Sequence, residues 1–287
     1  MIATALALTG ACVPSASAKE VIAYTHSGED GYWQIWTSSP DAKNARVRTK
    51  SKIDKREPFL APDGRIFYRT SNGQAFVLPN DGTKEIEILV PYGRINNPQL
   101  LNNGQVLFTR LDARAKDVRD IWKADLKTED ATIVTRDNKM ALQPSVSRDN
   151  RKIVFVKADD ARTSHHVWIM NADGTGAFQL TSGNGQDLFA KFSPDGQSVV
   201  YATNKYDGNF EIYLADIETR AVRRLTDSPG IDTQPCFSPD GGRIAFVSNR
   251  EGGQQIWVMD ASGINARPLT RGPGESVEPN WNDVTEE

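Results

Sequence analysis

The sequence is poor in the residues that most often carry chemistry. Its 287 residues hold only 2 cysteines and 3 histidines, and no Gly-x-Ser-x-Gly, His-Glu-x-x-His or Cys-x-x-Cys motif occurs. Nucleophile-elbow, zincin and dithiol chemistries therefore have no support, and too few histidines remain for a metal cluster or a triad. A basic excess is missing as well. Thirty-four Lys plus Arg stand against 37 Asp plus Glu, a formal net charge of −3, which gives no positive face for a phosphate backbone, so nucleic acid is not an expected partner. No run approaches the roughly 20 apolar residues of a membrane-spanning helix, so no transmembrane span is expected.

What is present is an ordinary globular composition: 38% hydrophobic and 25% charged residues, with 22 Gly and 15 Pro. Length alone permits one domain or two. Residues Met1 to Ala18 contain no charged side chain, hold an apolar run from Ile2 to Leu8, and end in Ser15-Ala16-Ser17-Ala18 before Lys19. Small residues at those places suit a signal peptidase, so a signal peptide over 1–18 is expected, cleaved after Ala18. The missing basic start implies a true start upstream of Met1. An acylated alternative would use Cys12, although Leu8 stands one place too early for a lipobox. Either route places the mature protein in the periplasm or outside the cell. Its 269 residues retain one thiol, Cys236, and cannot form an internal disulfide.

Internal repetition decides the fold class. Phe192-Ser193-Pro194-Asp195-Gly196 is echoed by Phe237-Ser238-Pro239-Asp240-Gly241 and by Pro62-Asp63-Gly64, with weaker copies at Asn102-Asn103-Gly104 and Arg148-Asp149-Asn150. Anchors at Pro58, Pro98, Pro144, Ala190, Pro235 and Pro279 recur at intervals of 40, 46, 46, 45 and 44 residues. After each turn comes a short apolar run such as Ile66-Phe67-Tyr68, Val199-Val200-Tyr201 or Ile244-Ala245-Phe246-Val247. These runs are too short for helices and rich in β-branched and aromatic residues, so they read as buried strands. A polar loop and an aromatic third strand follow, such as Val167-Trp168-Ile169-Met170 or Ile256-Trp257-Val258-Met259, and then a fourth strand ending in Leu-Thr at 180–181, 225–226 and 269–270. Four antiparallel strands in about 44 residues make one propeller blade.

The two ends complete each other. The segment from Pro279 supplies only a first strand, while Val21-Ile22-Ala23-Tyr24, Trp33-Gln34-Ile35-Trp36 and Arg46-Val47-Arg48-Thr49 supply a second, third and fourth. The expected fold is therefore an all-β, six-bladed propeller over 19–287, with blade repeats starting near 58, 98, 144, 190, 235 and 279. Its ring closes by pairing N-terminal strands with the C-terminal one, which leaves no unpaired blade face.

The run Cys236-Phe237-Ser238-Pro239-Asp240-Gly241, with Arg243 to Arg250, Gln255 to Asp260 and Leu269-Thr270, resembles the repeat of the TolB-type propellers. The resemblance extends at repeat level over all 269 mature residues. It implies a periplasmic module of the Tol-Pal envelope system, without an enzymatic activity or resident cofactor, whose partner is a periplasmic protein or peptide such as a Pal-like lipoprotein. TolB also carries an α/β domain before its propeller, for which this sequence shows no counterpart between Ala18 and the first strand.

Several candidate sites remain. Cys236 lies in an innermost strand and reads as a buried, inert thiol. His165 and His166 are neighbours on a strand, point to opposite faces and cannot chelate from one side. Propeller lyases of pectin fragments bind a metal through several histidines, whereas the third histidine here, His26, falls in another blade. The channel mouth is the better candidate: Glu57, Asn97, Gln143, Phe189, Gln234 and Glu278 directly precede the anchors, with Asp187 and Asp232 two positions before Phe189 and Gln234. Ring closure makes Glu57 and Glu278 neighbours, so their carboxylates suit Ca²⁺ or a basic segment of a partner. The sequence thus points to an exported, monomeric, non-enzymatic binding module. A small carbohydrate-active or peptidase-related propeller enzyme, with channel carboxylates as acid and base, and a sensor of a cation or small ligand are the alternatives.

Overall fold

The computed structural model describes residues 18–89, 92–111, 119–128, 130–135, 140–159 and 163–285. The expected signal peptide lies outside these residues except for Ala18. Six four-stranded antiparallel sheets account for the strands among them. The inner strands are Lys55–Leu60, Ile95–Leu100, Ala141–Val146, Asp187–Phe192, Asp232–Phe237 and Ser276–Thr285. Ring closure is as the repeats imply: Ser276–Thr285 pairs antiparallel with Ala18–Ser27, placing Val21 opposite Asn282, Ile22 opposite Trp281 and Ala23 opposite Asn280.

The core lies between blades, because each twisted sheet buries both faces against its neighbours. Val200, Ala202 and Ile212 of one blade pack with Phe237, Phe246 and Trp257 of the next. The closing blade is held from both sides. Ile22, Tyr24 and Trp281 cluster with Cys236, Ala245 and Val258, while Ala23, Ile35 and Val284 cluster with Leu60, Ile66 and Tyr68.

Two short motifs in the sequence acquire a physical meaning. In Ser-Pro-Asp-Gly, Ser193 Oγ donates to Asp195 Oδ1 (2.5 Å), which also accepts the Gln197 N–H (3.0 Å). Ser238, Asp240 and Gly242 repeat this arrangement, as do Ser147, Asp149 and Arg151. The next residue turns left-handed, with φ of 70° at Gly196 and 74° at Gly241, a region that glycine enters without steric cost.

The Leu-Thr pairs do not end the fourth strands; they lie just past them, since the strands stop at Gln179, Arg224 and Pro268. The threonine side chain is the reason. Thr226 Oγ1 accepts the Ile212 N–H (2.9 Å) and donates to Glu211 Oε2 (2.5 Å), so a hydroxyl takes the place of a backbone acceptor and the chain leaves the sheet. Thr49, Thr135 and Thr270 make the same latch with Gln34, Asp120 and Gln255. In the remaining case Thr181 donates to Asp187 instead, and His166 Nδ1 stands 3.2 Å from the same oxygen. Thr226→Val is expected to lower stability by about 1–3 kcal/mol, because the Ile212 N–H loses its partner in a buried site. Thr226→Ser should retain most of it. Urea unfolding of both variants checks this, and equal midpoints would refute the latch.

Candidate functional site

The channel mouth is built by one local device used six times. In each inner strand two residues stand opposite one on the neighbouring strand, at 57–58, 97–98, 143–144, 189–190, 234–235 and 278–279. These are β-bulges, which bend a strand and re-aim its side chains. Their first residues all have positive φ: Glu57 (57°), Asn97 (52°), Gln143 (50°), Phe189 (58°), Gln234 (53°) and Glu278 (60°). Left-handed backbone costs a non-glycine residue roughly 1–2 kcal/mol. Proline fits the second place in five blades because a bulge needs no ladder N–H there. Opposite every bulge stands a buried aromatic ring: Tyr68, Phe108, Phe155, Tyr201, Phe246 and Tyr24.

The six bulge residues line one cavity of about 280 Å³ at the axis. Their side chains also tie successive blades together. Gln234 Oε1 accepts the Glu278 N–H (2.7 Å), Glu278 Oε2 accepts the Glu57 N–H (2.7 Å), and Glu57 Oε2 accepts the Asn97 N–H (2.5 Å). Across the ring, Gln143 Oε1 accepts the Phe189 N–H (2.8 Å). Among the described residues the corresponding links from Asn97 and Phe189 are not made: Asn97 is one methylene shorter, and Phe189 has no acceptor. The polar character of these positions therefore serves the ring itself.

Glu57 and Glu278 do become neighbours, and both are matched by arginine. Arg69 Nη2 donates to Glu57 Oε1 (3.0 Å), with its Nε 2.9 Å from Oε2. Glu278 also accepts from Thr25 Oγ1 (2.7 Å), and Arg56 Nε stands 3.7 Å from its Oε1. Burial pushes the Glu278 carboxyl above its ordinary range, against the pull of Arg56. Carboxylates already satisfied by guanidinium and backbone N–H groups offer few free oxygens to Ca²⁺, which takes 6–8. Among the described residues no three His, Cys, Asp or Glu side chains are grouped to hold a metal.

Two expected site residues lie elsewhere. Asp187 and Asp232 are buried at the start of their strands and do not line the cavity. Asp187 accepts from Thr181, and Asp232 Oδ2 accepts from Arg250 Nη2 at 2.5 Å. The bulge is the reason: plain alternation would put residues 187 and 189, or 232 and 234, on one face, but the bulge re-aims the later side chain into the channel and leaves the aspartate with its buried partners. Cys236 is buried, and burial raises its thiol to about 12, consistent with an inert packing role. The histidines stay apart in function: His26 bonds Ser276, and His166 faces Asp187.

Residues 103–286 match the TolB beta propeller domain. The chain belongs to the TolB β-propeller family. Over 265 residues it is 31% identical to the protein TolB homolog of Chlorobium luteolum, a match covering 90% of this chain and 59% of that relative's length. The crystal structure of TolB from Acinetobacter baumannii superposes with a TM-score of 0.76 at 19% identity, covering 91% of this chain and 66% of that one. An oligogalacturonate lyase in complex with manganese shares the fold more distantly, with a TM-score of 0.59 at 18% identity over 88% of this chain and 74% of that one. Within this TolB-type ring, three charged cavity residues were not among the expected site residues: Arg69, Arg119 and Lys191. A signal for Lys191 existed, since it is the one charged residue in the column Phe59, Gln99, Ser145, Lys191, Cys236 and Asn280.

Proposed function

We propose that the chain is an exported, non-enzymatic TolB-like module that docks a periplasmic protein or peptide on its channel-mouth face, in cell-envelope function of the Tol-Pal type. Membership of the TolB propeller family supports the envelope context, and a Pal-like lipoprotein is the partner class this reading takes. The observation that carries the reading is the mouth itself: an open cavity of about 280 Å³ ringed by six strained bulges, four of which, Glu57, Gln143, Gln234 and Glu278, accept the N–H of the next with their side chains. Local strain gathered at one end of a fold is a mark of a working surface, and a rigid rim binds without loss of loop entropy. Acid and base catalysis is a poorer fit, since Glu57 and Glu278 each accept a backbone N–H and face an arginine. The module acts as a monomeric disc, with the channel as the docking axis.

A photo-crosslinking residue placed at Gln234 is expected to give an adduct with a Pal-like lipoprotein in cells. The same residue at Ile264, which is 60% exposed and does not line the mouth, should give none. Adducts of equal yield from both positions, or none from Gln234, would overturn the assignment.

A further inference from the structure

The charges along the channel do not cancel. The two cavity glutamates are each matched by an arginine, Arg69 and Arg56. Arg119 and Lys191 also line the cavity, and neither has a carboxylate within ion-pair distance among the described residues. Lys191 is placed more deeply. It borders both the mouth cavity and the cavity of about 450 Å³ on the opposite side, as do Phe59 and Asn280, so these residues form the waist between the two.

The rest of the waist column is free of negative charge. Around Lys191 stand Phe59, Gln99, Ser145, Cys236 and Asn280, the residues that follow the anchor in each blade. Gln99 Nε2 is engaged with the Pro144 carbonyl (2.7 Å), and Asn280 Oδ1 accepts the Leu60 N–H (2.8 Å), which leaves the Asn280 amide NH₂ as a donor. Burial lowers the Lys191 ammonium from its ordinary value, with Glu57 and Cys236 acting in the opposite direction. Lys191 is half-buried and borders both cavities, and an anion that enters would supply the counter-ion that no described carboxylate gives it.

We propose that the channel waist is a carboxylate-binding site, in which Lys191 pairs with an acidic side chain or terminal carboxylate of the docked segment and Arg119 draws it in from the mouth. This deepens the docking reading above and rests on it for the source of the carboxylate. It reverses the expectation of a cation or basic segment, because the glutamates that suggested one are occupied. The Lys191 ammonium and the Asn280 amide donate to the carboxylate oxygens, and the Phe59 ring covers the apolar stem.

Calorimetry on the purified protein at low salt tests it with matched probes: acetyl-Gly-Asp-Gly-amide against acetyl-Gly-Asn-Gly-amide, and succinate against succinamide. The acidic peptide is expected to bind at least about tenfold more tightly than its amide twin, as a charged hydrogen bond implies, with affinity falling as salt rises. Lys191→Gln should abolish the preference. Arg119→Gln, at the mouth, should weaken acidic-peptide binding about threefold. Succinate binding that exceeds succinamide supports a site for any carboxylate, and a preference confined to the peptide supports a docked segment. Equal affinities within each pair, or a preference that survives in a folded Lys191→Gln protein, would overturn the site. A Gln234 adduct without carboxylate preference removes this inference alone. Carboxylate preference without any adduct removes the envelope partner alone.

Discussion

Deleting Val21 to Tyr24 is expected to turn a folded disc into an aggregating chain. These four residues lie in the strand that pairs with Ser276–Thr285 on one side and with Trp33–Ser38 on the other. Ile22 and Ala23 are fully buried, and Tyr24 is 3% exposed. Tyr24 is also the aromatic ring opposite the Glu278 bulge. Truncating one buried large apolar side chain costs about 2–5 kcal/mol, and whole domains are stable by only about 5–15 kcal/mol. Loss of Ile22 and Tyr24 together, with the ladder they carry, therefore approaches the total. The opened ring would expose two strand edges and the apolar faces that hold the closing blade from both sides. Size-exclusion chromatography with light scattering should show soluble aggregate, and the cooperative thermal transition should disappear. A non-aggregated deletion variant with an unchanged thermal midpoint would refute closure as the source of stability.

The second large effect separates shape from charge at Glu278. Glu278→Ala removes the acceptor for the Glu57 N–H and for Thr25 Oγ1, leaving both donors unpaired at a buried position. It also leaves the left-handed backbone at residue 278 without the contact that compensates its strain. An orphaned buried donor costs about 1–3 kcal/mol, so two of them predict a loss of about 2–6 kcal/mol. Glu278→Gln retains an oxygen acceptor in the same place and should cost far less. The pH dependence follows from the direction of the Glu278 shift. Burial raises its folded-state value above the unfolded one, so the folded state holds the proton more tightly. The stability this contributes is present below the unfolded value and is lost as pH rises through the folded one. Glu278→Gln, which cannot ionise, escapes that loss and should compare more favourably with the unaltered protein at pH 7 than at pH 4. Chemical denaturation at both pH values checks this. A Gln variant that loses as much stability as the Ala variant would show that the negative charge itself, and not the acceptor, holds the bulge.

Much of this architecture was legible because it is written in local chemistry. The Ser-Pro-Asp-Gly turns combine a hydroxyl donor, a carboxylate acceptor and a glycine that accepts positive φ, all within a few residues. Their recurrence gave the blade length and the ring. The Leu-Thr signal was visible, but its meaning was not, since Thr226 acts on Ile212 and Glu211 from 14 and 15 positions away. The bulge positions stand directly before the anchors, which is what the sequence shows of them, and in the structure they line the cavity. Their left-handed backbone gave no sign, because glutamate, glutamine and phenylalanine do not advertise positive φ as glycine does. Asp187 and Asp232 were misplaced because a bulge breaks the simple count along a strand.

By itself the sequence determined the period, the turn chemistry, the number of blades and the pairing of the two ends, since each follows from short segments or from counting them. The electrical character of the channel was decided only by the tertiary structure. Glu57 and Glu278 suggest a negative mouth until Arg69 and Arg56 are seen against them. Lys191 is one lysine among many until its position at the waist leaves it without a carboxylate in ion-pair distance among the described residues. The physical reason is that charge at the axis sums over residues from several blades. Their mutual distances are set by ring closure and by the rotation each bulge imposes, and neither is encoded within a single repeat.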